Sequence, residues 1–171
     1  MSRAFVKEPD GDAADSDLLE RPLSTQPNYV TARGLALLRA EQWRLEQQRR
    51  ALRAEQTLAA GQTRKEIERD LRYVNARLAS AQVVERGHHP TDVGIGSRVD
   101  VIDEEDGTRS RYGIVGEDEA DIAAGLVSWV SPLACAVLGA QVGDVVTWQR
   151  PDGARELEVV GIVPLDLPLP G

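Results

Sequence analysis

The sequence is poor in cysteine and in aromatic residues, and it has no long apolar run. A single cysteine excludes an internal disulfide and a metal cluster held by thiolates. Aromatic residues make up only 4% of the 171 positions, so we expect a core of Val, Leu, Ile and Ala. No segment approaches the roughly 18 apolar residues that span a bilayer, and residues 1–8 lack the apolar run of a secretion signal. These absences predict a soluble cytoplasmic protein.

Residue types that build metal and catalytic sites are also sparse. Cys135 lies within an apolar stretch, 133–137, which predicts a small buried residue and not a nucleophile. The two histidines, His88 and His89, are adjacent in a loop without further ligands at metal-binding spacing. No Ser-His-Asp or Cys-His arrangement can be assembled from them with confidence. We therefore expect no metal, no cofactor and no catalysis by this chain alone.

Charge is distributed unevenly along the chain, whose formal net charge is -8. Residues 31–82 carry 11 Arg or Lys against 6 Asp or Glu, a net of +5, whereas residues 98–171 carry 5 against 14, a net of -9. A basic front and an acidic back can orient the molecule toward a large charged partner. General coating of nucleic acid is not expected of a chain this acidic.

The stretch from Thr31 to about Ala59 contains no proline and is dominated by strong helix formers: Ala, Leu, Arg, Gln and Glu. Leu38, Leu45 and Leu52 recur at intervals of seven, which predicts an apolar seam. The second seam position is polar, so the interface is thinner than in a strong coiled coil. Arginines interleaved with glutamates are typical of a solvated helical face. A few of these arginines could instead contact RNA or the acidic surface of a binding partner.

Gly61 interrupts this pattern, and Thr63 followed by Glu66 has the arrangement of a capping box that starts a second helix. Apolar residues of that helix are spaced alternately by four and three positions, as in a helix that packs against a neighbour. A short turn makes the two helices antiparallel. The prediction is a coiled-coil hairpin over residues 31–84, with its tip at residues 58–65. That tip contains Gly61, Gln62, Arg64 and Lys65.

Residues 95–163 consist of short Val- and Ile-rich runs separated by Asp-Gly turns, which predicts antiparallel strands and hairpins. Ser131 and Pro132 can cap and start one short helix. The fold class is therefore α+β. The predicted strands are 99–102, 112–115, 126–130, 145–148 and 157–160. The predicted flanking and joining segments are an extended arm at 1–30, a linker at 85–94 and an irregular, proline-rich tail at 164–171.

An acidic run of Glu117, Asp118 and Glu119 follows one of these strands, and Asp121 stands close behind it. Clustered carboxylates can bind a divalent cation. The small residues that flank this run are more typical of a solvated turn, which is the interpretation we favour.

Five blocks of the sequence, at residues 28–34, 66–73, 114–121, 131–139 and 142–146, resemble blocks of the GreA/GreB family of bacterial transcription factors. Residues 28–34 resemble the start of the family's first helix, and residues 66–73 resemble the base of its second hairpin helix, more the GreB than the GreA type. The resemblance covers most of the chain between the arm and the tail. Successive blocks of the family's C-terminal domain are matched, in order and at the right spacing, by residues 114–121, 131–139 and 142–146.

This resemblance implies a protein that binds bacterial RNA polymerase. In the family, an FKBP-like C-terminal domain docks at the rim of the polymerase secondary channel, and the hairpin enters the channel. Ser131, Pro132 and Leu133 match the rim-contacting stretch, and Asp121 belongs to the block before it. Ser131 and Pro132 equally have the residue types of a helix cap and first turn, and one residue can serve both roles. We expect a monomer that contacts RNA or DNA only within the polymerase complex and does not bind membranes.

The predicted tip departs from the family pattern. Members that rescue backtracked polymerase carry a pair of tip carboxylates, in a motif Asp-Leu-x-Glu-Asn-Ala-Glu-Tyr, which help to hold a second Mg²⁺ and to position the water that cuts RNA. Residues 58–65 contain no Asp or Glu, and the hairpin is shorter than the family's by one to two turns in each arm. We interpret the chain as a non-enzymatic regulator of elongation. The alternatives are a cleavage-stimulating factor that uses Glu55 or Glu66, and an oligomeric coiled-coil scaffold.

Overall fold

The computed structural model describes residues 18–87 and 89–170. Within these ranges two long helices form an antiparallel hairpin, and a five-stranded sheet with a short helix follows them. The predicted α+β class is confirmed. None of the helices in the described part of the chain is long and apolar enough to cross a membrane.

The hairpin consists of α1, Ala32–Ala51, and α2, Leu58–Ser80. Thr31 caps α1 by accepting a hydrogen bond from the Gly34 amide at 3.1 Å. A single 3-10 turn, Leu52–Ala54, prolongs α1. Thr57 then caps α2 by accepting from the Ala60 amide at 3.1 Å. The turn between the two helical arms is therefore formed by the three residues 55–57.

The predicted position of this turn was wrong. Gly61 lies inside α2, and its φ is not positive, so it does not break the helix. A helix tolerates an internal glycine at a cost of about 1 kcal/mol relative to alanine, and the cap that Thr57 supplies stabilises the earlier start. Residues 61–65 consequently belong to the first two turns of α2. Four residues that we assigned to the tip therefore lie in these turns of α2: Gly61, Gln62, Arg64 and Lys65.

The predicted apolar seam forms between the two helices. Leu45 packs with three residues of α2 in one buried cluster, and Leu52 is packed against it. The polar seam position is filled by a direct bond, since Gln42 Nε2 donates to Asn75 Oδ1 at 2.7 Å. Ala60 and not Ala59 is buried, because α2 starts earlier than predicted. The residues that α2 contributes to the cluster are Ile67, Leu71 and Val74.

Two short parallel strands, β1 (Tyr29–Val30) and β2 (Gln82–Val83), join the two ends of the hairpin at its base. The main sheet has the strand order β5-β4-β3-β7-β6. Its strands are β3 (Ser97–Asp103), β4 (Arg109–Val115), β5 (Leu126–Ser128), β6 (Val145–Arg150) and β7 (Gly153–Pro164).

The sheet is mixed and not purely antiparallel as predicted. β5 runs parallel to β4, whereas the other neighbours are antiparallel. Parallel neighbours need a crossover connection. The connection between β4 and β5 contains two 3-10 turns, Glu117–Glu119 and Ile122–Ala124. It leads the chain back along β4, so that β5 can run in the same direction as β4.

A third helix, α3 (Pro132–Val137), covers the core of the sheet domain. It buries Leu133, Ala134 and Val137 against the sheet, whose buried residues are mostly Val and Ile. Cys135 is exposed, so its predicted burial was wrong. The stretch around Cys135 is apolar on all sides, and such a pattern does not show which side of a short helix faces the core.

Both ends of the described chain are irregular, and each is hydrogen-bonded to another part of the fold. The part of the predicted arm at residues 1–17 lies outside the described residues. Residues 18–28 have no regular strand or helix, but Asn28 is buried, and its Nδ2 donates to the Arg77 carbonyl oxygen at 2.7 Å. At the other end residues 165–170 are irregular, and the Leu165 amide donates to the Gly96 carbonyl oxygen at 2.9 Å.

Candidate functional site

A groove with a volume of about 720 Å³ lies between the sheet and the start of α3. Alternation along the strands places every second side chain on this face. The groove therefore has an apolar lining, which suits a protein or peptide segment with apolar side chains. Its large apolar lining residues are Val101, Tyr112, Ile122, Val127, Leu133, Trp148 and Leu157.

Three of the predicted docking residues line this groove. Ser131 caps α3, and its Oγ accepts from the Ala134 amide at 3.2 Å. Pro132 occupies the first turn of α3 and is exposed, whereas Leu133 points into the core and is 5% exposed. The structure thus brings Ser131, Pro132 and Leu133 together at one end of the groove.

The fourth predicted residue, Asp121, has a different place. It is not among the residues that line the groove, and its Oδ1 accepts from the amides of Ala123 and Ala124 at 3.1 and 3.3 Å. This cap positions the next residue, Ile122, which lines the groove while remaining 87% exposed. We did not predict a role for Ile122. The available signal was a large apolar residue alone among alanines directly after a capping aspartate.

Charged side chains also line the groove. Arg155 contacts Asp103 at 3.0 Å, and the charge of Asp103 is the main cause that raises the Arg155 pKa. Arg150 contacts Asp152 at 2.7 Å and lies over the Trp148 ring at 5.0 Å. The lining of the groove therefore combines apolar side chains with paired charges.

The acidic run joins the hairpin to the sheet domain, so its assignment as a solvated turn was wrong. Asp118 Oδ1 accepts from the Tyr73 hydroxyl at 2.7 Å, and Asp118 Oδ2 accepts from Arg77 Nε at 2.6 Å. Glu117 adds a second contact to Arg77 at 3.4 Å. Arg77 is only 3% exposed. Clustered acids on one segment were visible in the sequence, but their partners lie about 40 residues away on α2.

Glu119 completes this joint at the other helix. It is 4% exposed and accepts from the Thr31 amide at 2.9 Å and from the Thr31 hydroxyl. A carboxylate at this position also interacts favourably with the positive end of the α1 dipole. The acidic run therefore binds the start of α1 and the last turns of α2 at once.

Two pKa shifts reflect the burial of the joint. Burial raises the pKa of Tyr73, and its hydrogen bond to Asp118 raises it further. Burial alone would lower the pKa of Arg77, but the hydrogen bond and charge of Asp118 outweigh this effect, so the pKa is raised. Both residues are thus held in their protonated forms.

The free end of the hairpin is built differently. Residues 55–57 are exposed, and Leu58 is 95% exposed. Arg64 lies behind the turn and donates to the carbonyl oxygens of Leu52 and Glu55 at 3.0 and 3.1 Å, which satisfies the end of the first arm. Glu55 lies in the turn itself, so the expectation of an acid-free tip was wrong.

Glu55 is a single carboxylate and not a pair. Glu66 is the ninth residue of α2 and therefore lies roughly 12 Å along the helix axis from its start. Over residues 18–87 and 89–170, no group of three or more His, Cys, Asp or Glu side chains is arranged to hold a metal ion.

Comparisons with known proteins identify the family of the chain. Residues 88–164 match the family profile described as "Transcription elongation factor, GreA/GreB, C-term". The chain is 42% identical over 106 residues to the transcription elongation factor GreA of Alkalilimnicola ehrlichii, which covers 61% of this chain and 67% of that protein. The chain belongs to the GreA/GreB family.

Other GreA/GreB relatives match over a similar part of the chain. The transcription elongation factor GreA of Methylococcus capsulatus is 41% identical over 98 residues, which is 56% of this chain and 62% of that protein. The chain thus spans about two thirds of the length of these curated relatives. Among solved structures, GreA factor homolog 1 (Gfh1) of Thermus thermophilus is 28% identical, with a TM-score of 0.39, over 80% of this chain and 99% of that one.

Proposed function

We propose that this chain binds bacterial RNA polymerase at the rim of its secondary channel and regulates elongation without supplying the carboxylates for RNA cleavage. The groove carries this proposal, because its apolar lining and the exposed Ile122 offer a docking surface to a partner protein. Family membership supports the choice of polymerase as that partner. The chain acts in this proposal as a regulatory binding protein and not as an independent enzyme.

The hairpin supports the channel part of the proposal. Its seam is filled by its own two helices, so the hairpin is complete in a single copy of the chain and fits a monomer better than a scaffold. Its end presents one carboxylate, Glu55, where holding a second Mg²⁺ calls for several oxygen ligands. A hairpin of this kind can occupy a channel without completing a metal site.

Titration of purified RNA polymerase with the labelled chain tests the docking site. We expect Ile122→Glu to weaken binding about 10-fold, because it places a charge in an apolar contact at the groove. Val142→Glu is the matched control, since Val142 is also exposed but does not line the groove. Failure of the unmodified chain to bind polymerase would refute the proposal, and equal losses from both variants would remove the groove from it.

A second candidate is a factor that stimulates transcript cleavage, and the exposed position of Glu55 in the turn is the observation that favours it. Halted polymerase with backtracked RNA distinguishes the two functions. Our proposal predicts that the chain does not accelerate cleavage. Acceleration that is lost in Glu55→Gln, but retained in Glu66→Gln, would establish the second candidate.

A further inference from the structure

Trp43 is the largest exposed apolar side chain of the hairpin among the described residues. It is 66% exposed, whereas the other two tryptophans of the chain, Trp129 and Trp148, are partly buried. Leu45 of the same helix is buried in the seam, nearly opposite Trp43 around α1, so Trp43 projects away from α2. It is separate from the groove and from the joint with the sheet domain.

The surroundings of Trp43 leave its ring accessible. At about 100° per residue, the neighbours on the same face lie one or two turns away. Ala36 and Ala40 are small, so they do not cover the indole. Arg39 is exposed and has no ion pair among the described residues, and Arg50 has only a 3.8 Å contact to Glu46. We define the Trp43 face as Arg39, Trp43, Gln47 and Arg50.

This composition favours a protein partner. Trp and Arg are the residues most enriched at energetically dominant positions of protein interfaces. Non-specific binding of single-stranded nucleic acid instead uses several stacking platforms along a basic groove. The Trp43 face has one aromatic ring and therefore lacks the series of stacking platforms that such binding uses. The two arginines in turn favour a partner surface that carries acidic residues.

We propose that the Trp43 face is a second docking surface, which takes an acidic protein wall with an apolar recess for the indole ring. This inference rests on the proposed function, in which the wall belongs to the polymerase channel. Trp43 precedes Glu55 by 12 residues and so lies roughly 18 Å from the turn. The contact therefore involves the flank of the hairpin and does not depend on chemistry at its end.

Polymerase titrations with variants of the full chain test this surface. Trp43→Ala is expected to weaken binding about 10- to 30-fold, because truncation removes the central ring of the interface. Arg39→Glu is expected to weaken it about 10-fold by repelling the acidic wall. The charge-matched control is Arg109→Glu, since Arg109 is exposed on β4 and alternates with the groove-lining residues Ser110 and Thr108. Thermal unfolding of each variant verifies that it is folded.

The outcomes separate this inference from the proposed function. If Ile122→Glu weakens binding while Trp43→Ala stays within twofold of the unmodified chain, the Trp43 face is refuted and the groove stands. If the unmodified chain does not bind polymerase, both proposals fall. Binding of a single-stranded RNA oligonucleotide to the free chain is the third measurement. If the chain binds this RNA and Trp43→Ala abolishes the binding, the partner of the Trp43 face is nucleic acid and not protein.

Discussion

The base and the free end of the hairpin differ sharply in how their polar groups are used. At the base Arg77, Glu119 and Asn28 are nearly inaccessible, and each is bonded across to another segment. At the free end the residues of the turn are exposed, and one arginine, Arg64, donates to the carbonyl oxygens of Leu52 and Glu55. The chain therefore concentrates its buried polar interactions where the direction of the hairpin is determined.

This difference shows that the residues that fix the orientation of the hairpin are separate from the residues that determine the chemistry of its free end. A buried ion pair contributes little net stability but is costly to break. It fixes one geometry, because alternatives leave a charge without a partner. The free end has no comparable network among the described residues. Its sequence can therefore vary without changing the direction of the hairpin.

The largest effect is expected when the base is broken at Arg77. Arg77→Met leaves Asp118 and Glu117 without their cation, which should cost about 3 kcal/mol, at the low end for a buried pair because both acids retain some contact with water. Calorimetry should show the unfolding temperature falling by about 6–12 °C. The control is Arg72→Met, whose pair with Glu20 is exposed and screened by solvent, so its loss should change the stability far less. Similar losses from the two variants would contradict the importance of the base.

The same substitution at two glycines should have opposite effects. A Cβ on Gly34 would lie 2.1 Å from Glu119 Oε1, which Thr31 holds in place, so Gly34→Ala should destabilise the protein by about 1–3 kcal/mol. A Cβ on Gly61 would meet nothing within 4 Å, so Gly61→Ala should stabilise α2 by about 0.5–1 kcal/mol. Chemical denaturation measures both changes. Loss of stability in Gly61→Ala would indicate that Gly61 lies in a turn after all.

At the free end, Arg64→Ala should have a smaller and local effect. It removes the donor to the Leu52 and Glu55 carbonyl oxygens, at a cost of about 1 kcal/mol. Hydrogen exchange should become faster in residues 50–58 while the base and the sheet keep their protection. The exposed neighbour Gln62, changed to Ala, is the control. Faster exchange throughout the chain would show that the end and the base are not independent.

The smallest effect concerns pH. Because the pKa of Tyr73 is raised above its ordinary value near 10, its contribution to stability is fully present below about pH 10 and is lost as the pH rises through the folded pKa. A spectrophotometric titration of the phenols, compared with that of Tyr73→Phe, should assign one late titration to Tyr73. Titration of this residue at or below pH 10 would contradict its burial against Asp118.

Features with local causes were predictable from the sequence. The leucine repeat at 38, 45 and 52 predicted the seam, and Ser131 with Pro132 predicted the start of α3. These signals depend on spacing and on residues within one turn of each other. The predicted strands likewise follow from alternation and from Asp-Gly turns.

Features with distant causes were not predictable. Thr57 and Thr63 are both plausible caps, and the contacts of the folded hairpin select Thr57. Glu119 is buried because Thr31, 88 residues away, is brought against it. Ile122 lines the groove only because the β4–β5 crossover brings it to the groove side of the sheet. In each case the environment of the residue is created by tertiary packing.

The β4–β5 crossover has a mechanical consequence. Within a few residues it carries both Glu119, which fixes the root of α1, and Ile122, which edges the groove. α2 alone has 23 residues and is thus about 35 Å long, so a tilt of about 5° at its root would displace its far end by about 3 Å. One short loop therefore couples the groove to the direction of the hairpin. A partner that binds at the groove would thereby also determine the position of the free end of the hairpin.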